Sequence, residues 1–128
     1  LMKGEYRKRV NKSLDELELF HATGQKNIQS IIQNNFDWRR TVRSKFGKGV
    51  SFSPYAEYAN EYCNNKAGID RALILTRVLV GKCQIGKNKT YIPDYDYDTT
   101  VGNGNRVYVK YGDNEYYPEY VAYYKYYD

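Results

Sequence analysis

The only histidine of this 128-residue chain, His21, closes the run Leu19-Phe20-His21-Ala22-Thr23-Gly24. An imidazole there can donate or accept a hydrogen bond near neutral pH, and the small residues after it let a ligand approach the backbone. A second stretch, Phe46-Gly47-Lys48-Gly49-Val50-Ser51-Phe52, is a Gly-x-Gly turn running into a short strand. A third, Tyr117-Pro118-Glu119-Tyr120-Val121, sets a carboxylate and an aliphatic residue close together near the end of the chain. Each stretch alone is common by chance, so the signal lies in their order and spacing.

The elements that must position these residues follow from periodicity. Residues 18–22 read as a first strand. Ile28, Ile31 and Ile32 fall at helical spacing and predict a helix over 25–34 that buries an isoleucine face and stops at Asn34-Asn35. Residues 36–45 lack a clean period and predict an exposed basic loop, with Arg39, Arg40, Arg43 and Lys45, anchored by Trp38. Over 54–65 the helical pattern returns: Ser53 can cap, Pro54 suits the first position, and Tyr55, Tyr58, Ala59 and Tyr62 recur on one face. Residues 71–81 form the most strand-like run, residues 83–100 read as connection, and strands follow at 106–110 and 120–126 around a turn at 111–114. Strands with two short helices and no regular alternation predict a mixed α+β domain with largely antiparallel sheets.

The composition limits the alternatives. A chain of 128 residues with 41% hydrophobic content builds one domain with one core. No apolar run approaches the roughly 20 residues of a membrane span, and the start lacks a signal-peptide pattern. The start at Leu1-Met2-Lys3 reads as that of a fragment of something longer, with residues 1–16 as a basic N-terminal arm. Cys63 and Cys83 are too far apart for a Cys-x-x-Cys pair, so no metal site is expected and a reducing, intracellular compartment, cytoplasmic or nuclear, fits them. The net charge of +5 favours an anionic partner without choosing among dinucleotide, RNA and acidic protein. The sixteen tyrosines fit half-buried sheets as strand-formers with a wet tip.

Taken together, Leu19-Phe20-His21-Ala22-Thr23, then Gly47-Lys48-Gly49-Val50-Ser51-Phe52-Ser53 with Ala59-Asn60-Glu61-Tyr62, then Tyr117-Pro118-Glu119-Tyr120-Val121 resemble the catalytic core of the poly(ADP-ribose) polymerase-like ADP-ribosyltransferases, in particular the mono-ADP-ribosylating branch. The resemblance spans the chain from about residue 17 onward. It implies the diphtheria-toxin type of fold, one catalytic domain over residues 1–128, and NAD as co-substrate. His21 would hydrogen-bond a ribose hydroxyl, the backbone of Ala22 would pair with the nicotinamide carboxamide, and Tyr62 would stack on the nicotinamide ring. Thr23, Phe52 and Ala59 would border the same NAD site, and the basic loop would lie over the NAD. Cleaving the nicotinamide–ribose bond builds positive charge on the ribose, so the site must fix the leaving group and favour an oxocarbenium-like transition state.

Three positions depart from the family pattern. Ser51 stands where a tyrosine is usual, Ala59 where a serine hydroxyl is common, and Ala22 in place of glycine. A lost hydrogen bond costs about 0.5–1.5 kcal/mol and a lost aromatic stack about as much, which lowers NAD affinity by roughly one to two powers of ten. The third catalytic position is open between Glu119 and Val121, which period-two alternation places on one strand face. With Val121 there, the resemblance implies transfer of single ADP-ribose units to protein acceptors. With Glu119, a carboxylate allows chain elongation. The resemblance further implies a monomer that engages no membrane and meets nucleic acid through other domains. The alternatives are a catalytically silent NAD-fold binding domain, suggested by Ser51 and Ala59, and an RNA-binding module, against which the tyrosines stand at apolar-phase positions.

Overall fold

The long apolar run is the central strand of the molecule. A computed structural model describes residues 15–37, 49–63, 67–86, 92–94 and 97–127. Within it, β3 (Asp70–Val80) pairs antiparallel with β1 (Asp15–Gly24) on one side and β7 (Tyr116–Lys125) on the other. Alternate β3 residues Ala72, Ile74, Thr76 and Val78 are fully buried on one face, where Ile28, Phe36, Val50 and Phe52 pack in the same core. A second sheet runs in the order β2 (Val50–Phe52), β6 (Val107–Lys110), β5 (Thr99–Gly102) and β4 (Cys83–Ile85), with β4 and β5 parallel and the other pairs antiparallel. The main core packs Val50 and Phe52 of β2 and Tyr116 of β7 against Leu19, Ile74 and Val78. This is the mixed, largely antiparallel α+β architecture that the pattern predicts.

Several boundaries differ from the sequence reading, each for a physical reason. The first strand starts at Asp15, because β3 is long enough to pair with residues 15–17 as well. A 3-10 turn, Gln25–Asn27, precedes α1 (Ile28–Asn34), and the expected isoleucine face is only partly buried: Ile28 is in the core and Ile31 packs on it, but Ile32 is 53% exposed. Asn35, at φ 66° and ψ 179°, breaks the helical dihedrals and ends α1, and its side-chain amide donates to the Tyr116 carbonyl at 3.0 Å. The next helix, α2 (Ala56–Tyr62), begins later than expected. Ser53 and Pro54 do not start it, since the Ser53 backbone is committed to β1: its N–H donates to the Phe20 carbonyl at 2.9 Å and its carbonyl accepts from the Phe20 N–H at 2.6 Å.

The segment read as connection, residues 83–100, contains β4 and the start of β5. Cys83-Gln84-Ile85 is too short and too exposed to show a period, and it is a strand because β5 offers it a parallel edge. The last strand starts at Tyr116, four residues before the expected 120, where Tyr116 itself is fully buried. Nor do all tyrosines follow the apolar phase: Tyr55, Tyr97, Tyr120, Tyr123 and Tyr127 are exposed. The basic loop with Trp38, most of the N-terminal arm, and Phe46, Gly47 and Lys48 lie outside the described residues. Among the described residues no helix is long and apolar enough to cross a membrane, and no group of three metal-ligating side chains gathers.

Candidate active site

A cleft of about 440 Å³ opens along the outer edge of β1, where the two sheets meet. Ligand sites occupy roughly 300–1,000 Å³, so the volume suits a small organic molecule or one end of a larger one. His21, Ala22, Thr23, Ser51, Phe52, Ala59 and Tyr62 all line it. Residues 21 and 62, far apart in sequence, thus border one cavity.

The local geometry of His21 fixes its chemistry. Its Nδ1 lies 2.7 Å from the carbonyl oxygen of Ser51. A carbonyl only accepts, so Nδ1 carries the proton and donates, which leaves Nε2 of a neutral ring as an acceptor. Phe36 meets the imidazole edge-on at 4.9 Å between centroids and Phe52 lies at 5.7 Å. One edge of the ring stays open to the cleft, but burial among these rings pushes its pKa below the ordinary histidine value, and the hydrogen bond to Ser51 only partly offsets this. Phe36 is held in turn by the Tyr116 hydroxyl, which donates to its carbonyl at 3.3 Å.

The backbone of β1 supplies a second feature. Strand N–H and C=O groups alternate sides. Phe20 turns both of its groups to the outer edge, toward Ser53, so Ala22, two residues on, turns its N–H and C=O to the same edge, just past the end of that bridge. Among the described residues neither group of Ala22 has a backbone partner outside the sheet. On the other side of the cleft α2 packs Ala59 and Cys63 on Phe20, Ala22 and Leu73, which presents Tyr58 and Tyr62 toward β6.

Gly49 shows why the turn before β2 needs glycine. A Cβ there would clash with the carbonyl oxygen of Lys110. Because β2 pairs Val50 with Lys110, Gly49→Ala must push β2 away from β6, and with it Ser51 and the anchor of His21. We expect a loss of about 1–3 kcal/mol in stability, read as a lower melting temperature. A variant that melts with the wild type would show that the turn can relax.

The structure separates the two candidates for the third position. A bulge shifts the β3–β7 register so that Leu75 pairs with Tyr120 and Thr76 with Pro118, which leaves Glu119 as the extra residue. The expected common face for Glu119 and Val121 is therefore wrong, since period-two counting fails across a bulge. Val121 pairs with Ile74, which pairs with His21, so these three share one face, with Val121 about 10 Å from His21 across two strand spacings. Glu119 turns to the opposite face, where it accepts from Arg77 at 2.6 Å, and Arg77 also reaches Glu16 at 2.9 Å. Neither Glu119 nor Val121 lines the cleft.

Sequence reasoning missed Tyr58, Phe36, Ser53 and Asp37, which also line the cavity. The i, i+4 spacing of Tyr58 and Tyr62 was a usable signal, and so was Pro118, since a proline inside a strand marks an edge or a bulge.

The poly(ADP-ribose) polymerase catalytic domain matches residues 2–118, a span that ends one residue before Glu119. The chain is 31% identical over 134 residues to the human protein mono-ADP-ribosyltransferase PARP12, covering 95% of this chain and 19% of that protein. Mouse protein mono-ADP-ribosyltransferase PARP12 is 31% identical over 124 residues, covering 88% of this chain and 17% of the relative. Mouse protein mono-ADP-ribosyltransferase PARP11 is 27% identical over 145 residues, covering 90% of this chain and 44% of its own length. The chain thus spans less than half the length of these relatives. With its mixed α+β sheets and a family match over most of its length, the chain belongs to the poly(ADP-ribose) polymerase catalytic domain family and has the ADP-ribosyltransferase fold.

Proposed function

We propose that this domain transfers a single ADP-ribose unit from NAD to a protein side chain and releases nicotinamide. The bond between ribose C1′ and the nicotinamide nitrogen breaks with its electron pair leaving on nicotinamide, the acceptor side chain bonds to C1′, and the acceptor's proton passes to solvent. The observation that carries the reading is the meeting of His21 and Tyr62 in one cleft beside the outward-facing backbone of Ala22.

The residues present fit NAD. The acceptor Nε2 of a neutral His21 suits a ribose hydroxyl, since a hydroxyl can donate to it. The N–H and C=O of Ala22 match the C=O and NH₂ of a carboxamide. Tyr62 offers a ring face for the pyridine. Transfer of one unit rather than a chain is supported by the placement of Glu119: its carboxylate is tied to Arg77 on the far face, while Val121 shares the face of His21. With no carboxylate of β7 on that face, a terminal ADP-ribose hydroxyl has no base there to make it the next acceptor.

A ligand that binds only the folded form raises its melting temperature. Benzamide carries the carboxamide and the ring of nicotinamide, so benzamide at about 100 times its Kd should raise the melting temperature by roughly 5–10 °C. NAD should do the same. No shift with either would overturn the reading.

A further inference from the structure

Tyr58 lines the cleft one helical turn before Tyr62. The two rings stack with 6.0 Å between centroids and 15° between planes. Full overlap would bring them to about 3.5 Å, so they are offset and form one continuous aromatic slab. Both pack against Val107, Val109 and Tyr111. The Tyr58 hydroxyl accepts a hydrogen bond from the side-chain amide of Asn103 at 2.8 Å. Asn103 is an exposed residue of the β5–β6 turn, with φ 51°, so its side chain covers no core.

A parallel neighbour restrains the rotation of a tyrosine ring about its last torsion only if that neighbour is itself held. Here the far end of Tyr58 is pinned by Asn103 and its face lies along Tyr62. We infer that Tyr58, anchored by Asn103, is a positioning residue that presets the Tyr62 ring for a planar aromatic amide and supplies aromatic surface that Ser51 does not. The inference rests on the NAD reading of the cleft. It assigns the β5–β6 turn, far from the reacting atoms in sequence, a role in affinity.

The test compares wild type with Tyr58→Phe, Asn103→Gly, the double variant and Tyr58→Ala, measuring benzamide Kd, KM for NAD, kcat and melting temperature. Asn103→Gly removes the donor while keeping a residue at ease with positive φ. Tyr58→Phe and Asn103→Gly should each raise Kd and KM by a similar factor, roughly 3- to 10-fold, with little change in kcat. The double variant should be no worse than either single, because both remove one hydrogen bond. Tyr58→Ala should weaken binding further, and Tyr58→Phe should recover part of that loss by restoring the ring. Folded variants that bind benzamide like the wild type, or single effects that simply add, would overturn the inference while the NAD reading stands. A wild type that does not bind benzamide would overturn both.

Discussion

Lys110→Ala should destabilise the domain by about 3–5 kcal/mol, a large share of the roughly 5–15 kcal/mol that holds a domain together. The Lys110 side chain is fully buried, and its ammonium lies 2.9 Å from Glu115, 3.1 Å from Asp98 and 2.8 Å from the Thr99 hydroxyl. Removing it leaves two carboxylates facing a space with no cation, which costs more than the pair itself contributes. The effect reaches the site, because Lys110 pairs with Val50, next to the Ser51 carbonyl that anchors His21. Chemical denaturation checks this, and a loss under about 1 kcal/mol would show that water or rearrangement relieves the carboxylates. Acid should act in the same direction. Burial opposes ionisation of Asp98, but hydrogen bonding from Thr99, the Lys110 charge, and the N–H groups of Gly81 and Lys82 together hold its carboxyl below the ordinary value of 3.8. The folded form thus gives up that proton more readily than the unfolded one. The stability gained is complete above pH 3.8 and is lost as pH falls through the lower folded value.

His21→Ala should reduce ADP-ribose transfer, read as label from NAD on protein, on the order of 100-fold, the scale of misplacing a substrate at a reacting centre. The expected loss comes from positioning, since the ring offers its Nε2 to the ligand while Nδ1–H is fixed by Ser51. The pH profile distinguishes this from a packing defect. Burial lowers the His21 pKa, so between that value and 6.5 the unfolded chain takes up a proton that the folded one refuses. Stability is full above pH 6.5 and declines as pH falls. A protonated Nε2 cannot accept, so ligand affinity declines as well. The wild-type melting temperature should therefore drop from pH 7 to pH 5 more steeply than that of His21→Ala. Parallel profiles, or undiminished transfer by the variant, would remove His21 from the role assigned to it.

Much of this was legible in the sequence where burial imposes a period. β3 shows itself because the core packed on its face buries its alternate residues, and Leu19, His21 and Ser51 come together because the strands bearing them are ordinary. What escaped lacks such a signature. β4 has three residues and no buried one, so only its pairing with β5 makes it a strand. The facing of Glu119 depends on a bulge one residue long: Pro118 hints at an irregularity, but which residue is the extra one is a property of two strands that neither sequence carries alone. Tyr58 reads as part of a helical stripe, but the stripe has two sides that both border the cleft: Ala59 and Cys63 pack on Ala22 and Phe20, while Tyr58 and Tyr62 pack toward β6.

The single bridge between Phe20 and Ser53 has a consequence for ligand choice. Past that bridge β2 turns from β1 to pair with β6, so among the described residues the outer rung at Ala22 has no strand opposite it, and on the proposed NAD reading what completes it would imitate a peptide group. A primary amide does so, with oxygen and nitrogen on one carbon and a hydrogen directed back at the strand. An ester or a doubly N-methylated amide of the same size offers no such hydrogen. On that reading the unfinished ladder would filter for amides, through main-chain atoms that no side-chain substitution removes.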